Sequence, residues 1–301
     1  MSTAHRQPWA ASGRPWGVLA PVLTPFEVSG AVDLPAFVEH CRWLVSQGVG
    51  LALFTAESET AHLSLAARTS MLDAVLAAGI AADRVTAQLP GDRRDSALSF
   101  ARHALDAGVN GLMLSGPLED THLLIEHLAK NRHAALYLCG HAFDTAALAR
   151  LLDRHGTGIA GIWHQDADRH SLAALPSKRH PLGLQVFTSD ESRLAQDLAR
   201  GAAGCITPLA NVCPAWLARA CADEDEHRQA TAQACVLRAA RAFRAQALRV
   251  SMRHVLAQWT ERPGWQRSPT STLPLAESEL TRLMTELLMM RFDMPGLRVA
   301  A

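Results

Sequence analysis

At 301 residues, 49% hydrophobic and 19% charged, the chain can build one large α/β barrel or two ordinary domains around a sizeable core. Twenty-nine basic residues balance 29 acidic ones, so no global field favours nucleic acid or an anionic membrane. No apolar run approaches the roughly 18 residues a membrane-spanning helix needs. Arg6 and Arg14 precede no apolar segment of signal-peptide length, so the expected compartment is the cytoplasm.

Residues 1–16 are small and polar, with Pro8, Gly13 and Pro15, and read as a flexible arm. From Gly17 a unit of about 25 to 30 residues repeats, each with a short apolar run, a polar break and an Ala/Leu-rich amphipathic stretch. The predicted strands are Val18–Leu23, Gly50–Phe54, Arg84–Leu89, Gly111–Leu114, Ala135–Leu138, Ile159–Trp163, Leu184–Phe187 and Gly204–Ile206. Gly48, Gly79, Gly108, Gly156 and Gly201 stand before strands, where helices end. Asp33, Ser64, Asp144 and Asp190 stand where helix N-caps belong. Eight β/α units are best closed as a (β/α)₈ TIM barrel over 17–224. Pro214–Cys221, Glu226–Trp259 and Glu277–Met290 read as additional C-terminal helices, with 225–301 forming an extension packed on the barrel.

The six cysteines form no C-x-x-C pair and read as free buried thiols, not disulfides or a zinc site. Glu57, Glu59, His141, His164, Asp166 and Asp190 fall just past strand ends, but no H-x-H or H-E-x-x-H spacing sharpens them into a metal site. No metal or cofactor is expected. Twenty-seven of the 29 basic residues are arginine, so lysine chemistry has two candidates, Lys130 and Lys178.

Several segments in order resemble the dihydrodipicolinate synthase and N-acetylneuraminate lyase family. They are Gly17 to Phe26 ending Leu23-Thr24-Pro25-Phe26, Glu59-Thr60-Ala61-His62-Leu63-Ser64, Ala107-Gly108-Val109, Leu136-Tyr137, and Gly204-Cys205-Ile206 with Ala210-Asn211-Val212-Cys213-Pro214. Leu273-Pro274-Leu275 with Glu277 and Glu279 completes the set. The resemblance implies class I aldolase chemistry: a lysine at the end of the sixth strand forms a Schiff base with a keto acid, and a tyrosine, matched here by Tyr137, relays protons. It also implies a homodimer or homotetramer and a small acid as ligand.

The chemical residues depart from that pattern. Gly161-Ile162-Trp163-His164 places Trp163 at the lysine position, and an indole nitrogen cannot form an iminium. Lys130 and Lys178 both precede strands and belong to the opposite face. The family's carboxylate-binding threonines become Ala56 and Glu57 within Thr55-Ala56-Glu57-Ser58-Glu59, and a glutamate there repels an anionic substrate. Ala142 stands where the family has an arginine, and Pro117-Leu118-Glu119 replaces its proline-tyrosine-tyrosine turn.

The candidate catalytic positions are therefore Tyr137, His164 and Trp163, and the candidate ligand seat is Thr55, Ala56, Glu57, Glu59 and Ile206. Trp163 reads as filling the old cavity or as a stacking surface. His164 reads as a structural histidine or as a rim acid–base group. Three functions fit: a small-molecule-binding or regulatory relative without Schiff-base catalysis, or partner of an active relative; a lyase or hydratase on a small oxo or hydroxy acid using Tyr137, His164 and Glu57; and, third, a purely structural role.

Overall fold

The short apolar runs of the repeat pair side by side as parallel strands, and the sheet they make closes on itself. The computed structural model describes residues 17–116, 118–131, 134–139, 145–163, 184–223, 225–269 and 274–297. The strands are β1 (Gly17–Pro21), β2 (Gly50–Leu53), β3 (Val85–Gln88), β4 (Gly111–Leu114), β5 (Ala135–Cys139), β6 (Gly161–Trp163), β7 (Gln185–Thr188) and β8 (Gly204–Ile206). Each pairs in parallel with the next, and β8 pairs back onto β1, giving the (β/α)₈ barrel expected from the repeat. Helices α1 (Leu34–Ser46), α2 (Leu65–Ala77), α3 (Arg94–Asp106), α4 (Leu118–Leu128), α5 (Thr145–His155) and α6 (Leu194–Ala199) return the chain from strands 1–5 and 7. The predicted arm, 1–16, lies outside the described residues.

Alternation along the strands sorts their side chains into two cores. Val18, Leu51, Val85, Leu112, Leu136, Ile162, Val186 and Cys205 belong to the large core shared with the helices. Leu19, Ala52, Met113, Tyr137, Cys139, Trp163, Phe187 and Ile206 belong to a separate inner cluster that fills the barrel. Gly161 explains how one large inner residue fits. A Cβ there would meet the Gln185 carbonyl oxygen at 2.5 Å and the Tyr137 ring at 2.8 Å.

Local chemistry sets the ends of these elements. Asp33 accepts from Ala36 N at 3.1 Å and Ser64 from Ala67 N at 3.2 Å, each opening the helix the sequence assigned to it. Asp190 caps a single 3₁₀ turn, Glu191–Arg193, before α6. Asp144 lies outside the described residues. Gly48 and Gly108 take the left-handed backbone that ends α1 and α3. Gly156 differs: it starts a 3₁₀ turn, Gly156–Gly158, that runs directly into the approach to β6.

After β8 come α7 (Pro214–Ala222), α8 (Glu226–Arg244), α9 (Leu248–Thr260) and α10 (Glu277–Met289). Glu226–Trp259, read from sequence as one helix, is two. Ala247 is extended (φ −70, ψ 102) and restarts the chain in a new direction. An unbroken helix of that length would run about 50 Å at 1.5 Å per residue, well past the barrel it packs on. The break lets α8 lie against α7 and α10 while α9 packs on the Pro263–Gln266 turn. Among the described residues no helix is long and apolar enough to cross a membrane. All six cysteines are free, and every one except Cys235 is buried.

Candidate functional site at the barrel mouth

The carboxyl ends of the strands carry the residues of interest, and strand register fixes their depth. Tyr137 pairs with Gly161, and Cys139 with Trp163. Trp163 therefore lies two residues, or about 6.6 Å at 3.3 Å per residue, nearer the carboxyl rim than the level of Tyr137. Trp163 is 2% exposed, and its indole Nε1 donates to Ser189 Oγ at 2.7 Å. The nitrogen that Trp163 presents is thus a buried, hydrogen-bonded indole N–H.

Tyr137 is equally enclosed, at 2% exposure. Its hydroxyl donates to Gln185 Oε1 at 2.8 Å, along its own layer, and its ring meets Phe187 edge-on with centroids 6.0 Å apart. His164 lies outside the described residues, as do His141, Ala142, Asp166, Pro117 and Lys178. Lys130 is exposed between α4 and β5, on the amino-terminal side of the barrel. It lines a surface cleft of about 660 Å³ with Arg102 and His127, away from the mouth.

The loop after β2 carries the rest of the predicted seat. Thr55 is buried and its hydroxyl meets Ser58 Oγ at 3.1 Å. Ala56 is exposed, and Glu57 is half-buried. Burial, and next the charge of Glu57, push the Cys139 thiol well above its ordinary range. Cys139 is on the inner face beside Trp163. Gln88 Nε2 donates to Ser115 Oγ at 2.8 Å across the neighbouring strand ends. Ile206 is 1% exposed and part of the inner apolar cluster.

Glu59 faces elsewhere. Its carboxylate pairs with Arg253 of α9 and accepts from Ser268 Oγ at 3.1 Å. Arg253 also donates through Nη1 to the carbonyls of Trp265 and Arg267, both at 3.0 Å. This buried pair fastens the Glu57 loop to the C-terminal helices, and the charge pattern of neither segment alone reveals it.

Two further rim groups were not singled out by sequence. Asn211 Oδ1 accepts from Leu23 N and His40 Nε2, while its Nδ2 donates to the carbonyls of Pro21 and Pro208. It joins the ends of β1 and β8. Burial pulls the His40 imidazole down to about 4, so it is neutral at pH 7 with its proton on Nε2. Glu191, fully buried, accepts from Thr207 Oγ1 at 2.9 Å and pairs with Arg244 at 2.8 Å. Among the described residues no group of three or more His, Cys, Asp or Glu is placed to hold a metal ion.

No family model matches the chain. It is 28% identical over 231 residues to an uncharacterized DapA-like lyase of Chloroflexus aurantiacus, covering 69% of this chain and 74% of that protein. It is 26% identical over 212 residues to a 4-hydroxy-tetrahydrodipicolinate synthase of Methanosphaerula palustris, covering 66% and 72%. A prophage protein of the dihydrodipicolinic acid synthase family from E. coli K12, solved in complex with pyruvate, superposes with a TM-score of 0.77 at 20% identity, over 92% of this chain and 99% of that one. The chain is thus similar in sequence to a DapA-like lyase and a 4-hydroxy-tetrahydrodipicolinate synthase, and it shares its barrel fold with the solved prophage protein.

Proposed function

We propose that this chain is a dihydrodipicolinate synthase-like barrel that binds a small molecule at its mouth without Schiff-base catalysis, as a binding or regulatory relative of the active lyases. The observation that carries this is Trp163: a buried indole, hydrogen-bonded to Ser189, stands where a nucleophilic amine is needed. Two features support it. The proton of the Tyr137 hydroxyl goes to Gln185, one layer below the indole. Glu57, half-buried just past the carboxyl end of β2, puts a carboxylate where the family has a carboxylate-binding threonine, which disfavours a keto acid. The proposal extends to a barrel over 17–224 with a helical extension over 225–301, to assembly as a homodimer or homotetramer, and to residence in the cytoplasm.

The half-buried place of Glu57 just past β2 also favours a second reading, a lyase or hydratase in which Glu57, with Tyr137 and His164, moves protons on a small oxo or hydroxy acid. A thermal-shift screen with small keto, hydroxy and sugar acids tests both. A ligand held only by the native state raises the melting temperature in proportion to RT ln(1 + [L]/Kd). The expected hit stabilises the chain and is recovered intact by NMR. A hit consumed during incubation establishes the second reading, and absence of any hit at millimolar concentration contradicts both.

A further inference from the structure

On the outside of the barrel two imidazoles meet nitrogen to nitrogen. His122 Nδ1 lies 2.5 Å from His155 Nε2, with ring centroids 4.6 Å apart and the planes tilted by 42°. His122 is on α4, and His155 is the last residue of α5. The contact is a short hydrogen bond, so one of the two nitrogens carries a proton, which a bound metal ion displaces to solvent. Their neighbours are Glu126 and Arg154.

We propose that His122 and His155 together bind a divalent transition-metal ion, Zn²⁺ or a close analogue, across the seam between α4 and α5. Glu126 stands one turn after His122, with Oε1 3.4 Å from His122 Nε2. A carboxylate at that distance favours the ring proton on Nε2 and leaves Nδ1 as the nitrogen that faces His155, as an outer carboxylate does in carboxylate–histidine–metal sites. Arg154 Nη2, 4.0 Å from the same Oε1, occupies the carboxylate's outer side and leaves the two imidazoles as the protein's ligands.

Two imidazole nitrogens bound tetrahedrally at 2.0–2.1 Å stand about 3.4 Å apart, so the rings need to part by only about 0.9 Å. Small side-chain rotations on two helix surfaces supply that. Access is open: His155, Glu126, Asp153 and Arg154 line a surface cleft of about 520 Å³, which leaves room for water in the other coordination positions. His155 also ends its helix, where the outward carbonyls favour a cation.

The test is calorimetric titration of the full chain with ZnCl₂ at pH 7.5, with MgCl₂ as control. One equivalent of Zn²⁺ should bind saturably, and Mg²⁺ should give no heat of binding. His122→Gln and His155→Gln should each weaken binding at least tenfold, and Glu126→Gln about 10- to 100-fold. Fourteen histidines and six cysteines offer other ligands, so X-ray absorption on the zinc-loaded wild type is the second measurement. It should show two imidazoles with oxygen ligands and no sulfur. Absence of saturable binding, wild-type affinity in the double variant, or sulfur in the coordination shell would overturn the proposal.

Discussion

Arg253→Ala should lower the unfolding free energy by about 3–5 kcal/mol, measured by urea denaturation, because it leaves the Glu59 carboxylate buried with its charge partner gone. The side chains of Arg253 and Glu59 are 3% and 1% exposed, so water does not replace the lost guanidinium. The Trp265 and Arg267 carbonyls lose a donor in the same substitution. Arg262→Ala provides the contrast. Its pair with Glu39 is open to solvent, at 34% and 46% exposure, and should contribute about 0–1 kcal/mol. Equal losses for the two variants would mean the Glu59 pair fastens nothing. The effect should extend to ligand binding, since Glu59 holds a left-handed backbone (φ 56) two residues after Glu57.

Trp163→Lys should yield a folded protein that is less stable by about 3–5 kcal/mol and still has no pyruvate turnover in a coupled assay. The stability loss follows from replacing a buried aromatic ring with a thinner side chain. The missing turnover follows from what surrounds the new amine. The Tyr137 hydroxyl donates its hydrogen bond to Gln185, and Glu57 stands in the loop after β2 in place of a carboxylate-binding threonine. An amine alone does not seat a carboxylate or relay a proton. Pyruvate consumption by this variant would show that Trp163 is the one barrier to the family's chemistry.

The barrel was legible because its signals are local and repeated. Each strand is a short apolar run, and residues such as Asp33 and Ser64 cap their helices through atoms three residues away. Gly161 and Tyr137 are similarly readable as neighbours once β5 and β6 are paired. The break between Arg244 and Leu248 was not, since Ala245-Gln246-Ala247 contains neither glycine nor proline and tertiary packing decides where the helix stops.

The site was legible at the level of residue type and not of partner. Trp163 stands out as a residue that cannot form an iminium, but Ser189 as its hydrogen-bond acceptor depends on the fold. Glu59 enters the predicted ligand seat through the family-like segment it opens, while its carboxylate is bound to Arg253, 194 residues along the chain. Asn211 and His40 are separated by 171 residues, and His122 and His155 by 33, so no spacing rule announces either pair.

Sodium borohydride reduction of the full chain in the presence of pyruvate, read by intact mass, addresses the indole at position 163 most directly. The expected spectrum is the unmodified chain. A mass increase matching reduced pyruvate, mapped by peptide analysis to Lys130 or Lys178, would show that this protein does build a Schiff base and would contradict the account.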